Sequence, residues 1–199
     1  MRYLIIFIIF LLPAVLFGQF EEYIQEDPLP KHQPQTGAAF TVLESGSGIG
    51  AFYKYPLQNY FHVGATLSGY YLRDSEQFDV YWYGYPITIN KQNNVYLIDL
   101  MFSLKKRLMA DKIDDSLRPY VSLSAGPVYG MNFPEDDQLE NQFDYAISGG
   151  LSAGVEAVFS TNYIFGIRFQ YRFMKFHERL GEEQDHSMFD LRIEIGKEL

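Results

Sequence analysis

The chain has 199 residues, which is the size of one domain, and it contains no cysteine. The lack of cysteine excludes a disulfide framework, a thiolate metal site and a lipid-modified N-terminal cysteine. The net charge of −9 argues against a nucleic-acid-binding protein, because such proteins usually carry a basic patch. The 16 tyrosines and 17 phenylalanines, together with 16 glycines, favour β-structure at a membrane boundary.

The N-terminus predicts a secretory signal peptide over residues 1–18. Arg2 precedes an apolar run over residues 4–17 that only Pro13 interrupts, and a basic start before a short apolar run is typical of such a signal. The run is too short for a membrane-spanning helix, which needs about 20 residues. We expect cleavage after Gly18, and an uncleaved anchor is the rival interpretation.

The rest of the chain divides into a leader and a strand-rich domain. Residues 19–36 are acidic and proline-bearing, so we expect an extended periplasmic leader. Over residues 37–199, strand-like runs alternate with polar turns. The predicted strands span 46–56, 60–72, 79–90, 95–107, 119–132, 144–159, 163–176 and 187–196. Residues 36–44 also have strand character, as an extension or a separate strand, so we expect eight strands with ten as the alternative.

Side chains alternate in character along the predicted strands. In the strand over 163–176 the even positions carry Arg168, Gln170 and Arg172. Its odd positions are all bulky and apolar: Tyr163, Phe165, Ile167, Phe169, Tyr171 and Phe173. Since neighbouring side chains point to opposite faces of a strand, one face is apolar and the other polar. The same pattern recurs in most of the other predicted strands, whereas aromatic residues crowd both faces of the strand over 79–90.

The size of the apolar residues indicates which face points outward. The interior of a barrel of about eight strands is only just wide enough to be filled by side chains, so the large apolar residues cannot fit inside. We therefore expect an all-β, antiparallel transmembrane β-barrel whose apolar face contacts lipid. Tyrosines near strand ends are expected to form an aromatic belt, at Tyr55, Tyr60, Tyr71, Tyr120, Tyr129 and Tyr163. We expect both termini to be periplasmic, and the loops 134–142 and 178–185 to be extracellular.

The hairpin registers predict a polar network inside the barrel. A last hairpin centred on Gly181 gives three opposed pairs: Arg172 with Asp190, Gln170 with Arg192, and Arg168 with Glu194. A preceding hairpin centred on Thr161 sets Arg168 and Arg172 against glycines, which leave room for the long side chains. The predicted interior network consists of Arg168, Arg172, Asp190, Arg192, Glu194, Glu156, Asp99 and Lys105. We expect this network to be structural and to plug the barrel.

The chain resembles the small outer-membrane β-barrel proteins, the eight-stranded group that includes OmpX-like and OmpW-like proteins. The resemblance rests on the signal, the alternation and a glycine-rich run with Gly46, Gly48, Gly50 and Tyr53. Such barrels usually end in an aromatic residue that serves the barrel-insertion machinery, whereas this chain ends in Leu199. The resemblance implies an outer-membrane location, contact with lipid and insertion by that machinery. It also implies roles that range from adhesion and small-molecule passage to lipid modification.

Few residues suggest chemistry. Some outer-membrane lipid A deacylases use a histidine and a serine two positions apart, but His186 and Ser187 are adjacent and should point to opposite faces. The loop carboxylates Glu135, Asp136 and Asp137 are weak candidates for a calcium site, because hard cations prefer several carboxylates. A solvated loop is the default interpretation, and divalent cations that bridge it to envelope components are its candidate partners. We predict no catalytic residue and no cofactor.

The sequence therefore favours a non-enzymatic outer-membrane barrel with a plugged polar interior, which acts through its surface loops in envelope structure or partner interaction. A lipid-modifying enzyme of the outer membrane is one alternative. A secreted soluble barrel that binds an apolar ligand is the other, and it requires the apolar face to point inward.

Overall fold

The computed structural model describes residues 33–73, 78–83, 85–89, 93–110, 112–113, 116–134, 139–159, 162–181 and 183–199. The expected signal peptide, most of the expected leader and the loop carboxylates Glu135, Asp136 and Asp137 lie outside these residues. The strands are β1 (Gln35–Leu43), β2 (Gly46–Pro56), β3 (Phe61–Leu72), β4 (Phe78–Trp82), β5 (Tyr85–Ile89), β6 (Val95–Arg107), β7 (Leu117–Asn132), β8 (Gln142–Val158), β9 (Tyr163–Leu180), β10 (Glu183–Asp185) and β11 (Met188–Glu198). No helix in this part of the chain is long and apolar enough to cross a membrane.

Eight of these strands form a closed antiparallel barrel. The order around the barrel is β1-β2-β3-β6-β7-β8-β9-β11, and β11 pairs with β1 to complete the ring. Closure gives each barrel strand a hydrogen-bonded neighbour on both sides, which removes the open edges that a flat sheet would leave. The fold is therefore the all-β antiparallel barrel that the sequence predicts, with eight barrel strands in the described part of the chain.

The identity of one barrel strand differs from the prediction. Residues 35–43 form the separate strand β1, whereas the predicted strand over 79–90 is a two-stranded hairpin, β4–β5, whose strands pair with each other. The physical reason lies in the face pattern. In β1, the buried residues Ala39 and Thr41 alternate with the exposed residues Phe40 and Val42, as a barrel wall requires. The stretch 79–90 has aromatic residues at successive positions, so neither of its faces is suited to the interior.

The two ends of the barrel are defined by the ends of the chain's strands. At one end of the barrel β1 begins and β11 finishes, and Gln35 pairs there with Glu198. We call this the termini end. The connections from β2 to β3, from β6 to β7 and from β8 to β9 lie at this end. The loop end is opposite, and it holds the connections from β1 to β2, from β3 to β6, from β7 to β8 and from β9 to β11. The two loops that the sequence analysis places away from the termini are therefore at the loop end.

The predicted register is correct for one hairpin and wrong for the next. Between β8 and β9, Gly154 pairs with Arg168 and Gly150 with Arg172, as predicted. Between β9 and β11 the register is displaced by two residues from a hairpin centred on Gly181, so that Asp190 lies opposite Gln170 and Arg192 opposite Arg168. The cause is an irregularity between Glu183 and Asp185, where β9 contributes more residues than β10. A displacement of two residues keeps every side chain on its predicted face.

The two faces of the barrel have opposite character. The outward side chains include exposed large apolar residues on each of the eight barrel strands, such as Ile49, Phe102 and Phe169. The buried inward residues include charged and polar side chains throughout the barrel. The soluble-barrel alternative requires the apolar face to line the interior, and this arrangement is not found among the described residues. One predicted belt residue is wrong: Tyr120 occupies an inward position of β7 and is buried.

We predict that paired cysteines will report the register of β9 and β11, because the natural chain has none. The variant with Phe169→Cys and Leu191→Cys joins directly opposed positions and should form a disulfide readily on oxidation. The matched variant with Tyr171→Cys and Leu191→Cys joins diagonal positions that are about 7–8 Å apart and should cross-link poorly. Gel mobility with and without reductant measures both. Preferential cross-linking of the second variant would contradict this register.

Candidate functional site

The structure places all eight predicted network residues inside the barrel. Each is buried: Asp99, Lys105, Glu156, Arg168, Arg172, Asp190, Arg192 and Glu194. They come from β6, β8, β9 and β11, so the barrel brings together charges that are far apart in the sequence. The carboxylates and cations form two clusters, one around Glu156 and one around Arg172.

The first cluster is centred on Glu156, whose side chain is 0% exposed. Lys105 Nζ lies 2.7 Å from Glu156 Oε2, and Lys54 Nζ lies 2.8 Å from Glu156 Oε1. Lys54 Nζ also lies 2.6 Å from Glu194 Oε2, so one ammonium group joins carboxylates of β8 and β11. Charge-assisted hydrogen bonds of this length compensate in part for the desolvation of the buried charges.

Lys54 is a network residue that the sequence analysis missed. A signal was present, because β2 places Gly48, Phe52 and Lys54 on one face and Ile49, Tyr53 and Tyr55 on the other. The period of two therefore puts Lys54 inside. The Lys54 ammonium also lies 4.4 Å from the centroid of the Phe52 ring, a favourable cation–π distance.

The second cluster is centred on Arg172. Its guanidinium group donates to Asp99 Oδ2, it donates to the hydroxyl of Tyr70 at 2.7 Å, and it lies 3.5 Å from Asp190 Oδ2. The predicted pair of Arg172 and Asp190 is therefore in contact, although diagonally across the strands. The guanidinium carbon also lies 4.6 Å from the centroid of the Tyr70 ring. Arg172 therefore contacts side chains from three other strands of the barrel.

Arg168 and Arg192 are less well paired. They lie directly opposite each other on β9 and β11. Their nearest carboxylate oxygen is Glu194 Oε1, at 3.6 Å from Arg168 Nη1 and 3.7 Å from Arg192 Nε. Both distances exceed a normal hydrogen bond. Arg192 additionally donates to the hydroxyl of Ser68 at 3.3 Å.

A glycine provides the space for a large aromatic ring inside the barrel. A Cβ atom at Gly154 would lie 2.8 Å from two atoms of the Tyr120 side chain and 2.5 Å from the carbonyl oxygen of Ile167. A larger residue would displace the ring or the backbone. This contact explains how Tyr120 fits into an interior that is barely wide enough for its side chains.

The ends of the barrel interior differ in chemistry. At the termini end, Arg118 donates to Glu198, which also accepts a hydrogen bond from the amide of Gln35 at 3.4 Å. At the loop end, the interior contains a cluster of buried apolar residues, which we call the apolar plug. Its buried members are Leu43, Tyr70, Leu72, Val95, Leu97, Val128, Ala146, Met174, Phe176, Leu180 and Met188. The sequence analysis missed this plug because its members come from seven strands.

The residues considered for catalysis are occupied in other ways. His186 Nε2 is 3.2 Å from the carbonyl oxygen of Leu180, and burial lowers the pKa of His186, so the ring is neutral at neutral pH. The hydroxyl of Ser187 accepts a hydrogen bond from the amide of Met174 at 3.0 Å. Within the described ranges, no group of three or more metal-ligating side chains is found.

We predict that Glu156→Gln lowers the free energy of unfolding by about 3–5 kcal/mol, because it leaves the Lys105 ammonium buried without its carboxylate. The double variant with Lys105→Met and Glu156→Met should lose less, since Lys54 keeps its contact with Glu194. Urea unfolding in detergent or vesicles, followed by far-UV circular dichroism, measures both. Equal stability of Glu156→Gln and the natural protein would show that the ion pairs contribute nothing.

Comparison with known proteins supports the fold. No protein-family profile and no curated protein sequence matches the chain. The chain is similar to Neisserial surface protein A, with 12% sequence identity over 83% of this chain and 96% of that chain and a TM-score of 0.59.

Two further similar structures are the attachment invasion locus protein Ail of Yersinia pestis and OprG of Pseudomonas aeruginosa. Ail is 12% identical over 84% of this chain and 97% of that chain, with a TM-score of 0.49. OprG is 11% identical over 83% of this chain and 94% of that chain, also with a TM-score of 0.49. At these identities the comparison concerns the fold alone. The chain has the fold of the small eight-stranded outer-membrane β-barrels.

Proposed function

We propose that the protein is a non-enzymatic outer-membrane β-barrel with a closed interior, which acts through its loop-end surface in envelope structure or partner interaction. The observation that carries the proposal is the reversal of the usual protein arrangement: charged groups are buried inside and large apolar side chains are exposed outside. Water would not stabilise such an outer face, whereas lipid would. The protein is exported by its signal peptide and inserted by the barrel-insertion machinery.

Two features support a closed interior. The ion pairs around Glu156 and Arg172 join side chains across the barrel from β2, β3, β6, β8, β9 and β11. The apolar plug fills the loop end above them. An ion that passed through would have to displace both layers. The network is therefore structural and does not line a pore.

The loop end is the surface that acts on partners. The β4–β5 hairpin belongs to the connection between β3 and β6, and it exposes Tyr83 to 88% and Tyr85 to 76%. Exposed aromatic side chains are frequent in protein contacts. The loop over 133–141 is acidic in sequence, and divalent cations are its expected partners in the envelope. Outer-membrane lipid is the partner of the barrel wall.

Cell fractionation and a heat-modifiability gel test the location. We expect the expressed protein in the outer-membrane fraction, soluble only with detergent, and we expect an unheated sample to migrate differently from a boiled one because the closed barrel resists unfolding. A protein that is soluble without detergent would contradict the proposal.

We further predict that the purified protein does not conduct ions in planar bilayers above the background of protein-free bilayers. The variant Phe176→Ala, which removes a ring from the apolar plug, should raise the frequency of conducting events. The matched variant Phe173→Ala removes the same ring from the outward face and should leave the background unchanged. Discrete channels in the natural protein would refute the closed interior.

A further inference from the structure

The positive charges of the barrel's central network outnumber the negative ones. The buried cations are Lys54, Lys105, Arg168, Arg172 and Arg192, and the buried carboxylates are Asp99, Glu156, Asp190 and Glu194. These five cations and four carboxylates of the network therefore leave one positive charge that its carboxylates do not neutralise. An uncompensated charge is costly in a dry interior. The barrel needs either a further negative group or an arrangement that hydrates the excess charge.

The excess charge is located at Arg168 and Arg192. Lys54, Lys105 and Arg172 each make a carboxylate contact of hydrogen-bond length. Arg168 and Arg192 instead share Glu194 Oε1 at 3.6 and 3.7 Å, while the other oxygen of this carboxylate binds Lys54. Like charges directly opposite each other on neighbouring strands are destabilising.

Unpaired hydrogen-bond donors lie on the same row of the sheet. The registers connect Tyr120, Gly154, Arg168, Arg192 and Thr41 as successive neighbours across β7, β8, β9, β11 and β1. The Nε atoms of both arginines and the hydroxyls of Tyr120 and Thr41 are buried and have no hydrogen-bond partner among the described residues. Gly154 adds no side chain to this row. Arg168 and Arg192, directly opposite each other, therefore bring together two positive charges and two unpaired Nε donors, with no carboxylate at hydrogen-bond distance.

We propose that Arg168 and Arg192 hold a small monovalent inorganic anion, such as chloride, inside the barrel. One bound anion neutralises the single excess charge of the network, and it accepts hydrogen bonds from the two guanidinium groups. A divalent anion would leave the layer negative. The anion enters from the termini end, since the apolar plug fills the loop end. This site is independent of where the protein resides in the cell.

Bromide substitution tests the position of the anion. Crystals of the full chain in detergent are grown in sodium bromide, and anomalous difference maps are measured at the bromine edge. We expect a peak between the guanidinium groups of Arg168 and Arg192. Peaks confined to the outer surface would mean an adventitious ion only, and water density between the two groups would mean a hydrated pair. Either result would overturn the proposal.

Chloride dependence of stability tests the same site in solution. The midpoint is the temperature at which half of the protein has lost the gel mobility of the folded barrel. It is measured in sodium chloride and in sodium gluconate of equal ionic strength. We expect the midpoint of the natural protein to be higher in chloride and to rise with the logarithm of chloride concentration, because a ligand of the folded state stabilises it. Equal midpoints in the two salts would overturn the proposal.

Two variants distinguish binding from charge screening. Arg192→Gln balances the central network, so it should fold, and it should lose the chloride dependence. Lys197→Gln removes one positive charge from an exposed position of the same strand and should keep the dependence. Arg168→Gln provides a second variant of the site if Arg192→Gln does not fold. A chloride effect that persists in both arginine variants would place the anion elsewhere.

Discussion

The pairing of β11 with β1 is the interaction on which the rest of the structure depends. It turns a sheet with two open edges into a ring, so that one face of each barrel strand points into the interior and the other points outward. Only about eight strands surround the interior, and little space remains for side chains. Small residues such as Gly154 must therefore accompany large ones such as Tyr120. The polar interior and the apolar exterior both follow from closure at this size.

The face of each side chain could be predicted from the sequence because it depends on a local period of two. For this reason the sequence predicts inward positions for Arg168, Arg172, Asp190 and Glu194. The same period predicts an inward position for Lys54. The register of β9 against β11 could not be predicted, since it depends on an irregularity between Glu183 and Asp185 that the alternation of side chains does not show. That residues 35–43, and not residues 79–90, form a barrel strand has a different origin. Both segments have strand-forming residues, and only their alternation shows which one suits the wall.

The partners within the interior lay beyond prediction from the sequence. Lys54 contacts Glu156 and Glu194, which are 102 and 140 positions away in the chain. Such contacts depend on the tilt and stagger of the whole ring, which the alternation of one strand does not specify. The same holds for the apolar plug, whose members come from seven strands. The alternation within a strand predicts which residues face the interior, whereas the geometry of the whole barrel determines which of them are in contact.

The contacts of Lys54 also bear on the order of assembly. Its ammonium group lies on the second strand, while its two carboxylate partners lie on β8 and on the final strand β11. A sheet that lacks its last strand leaves Glu194 absent and the Lys54 charge only partly neutralised. Long sequence separations of this kind slow folding. They also penalise every half-built sheet, so the charged core favours an all-or-none transition in which burial of the ions and the final strand pairing occur together.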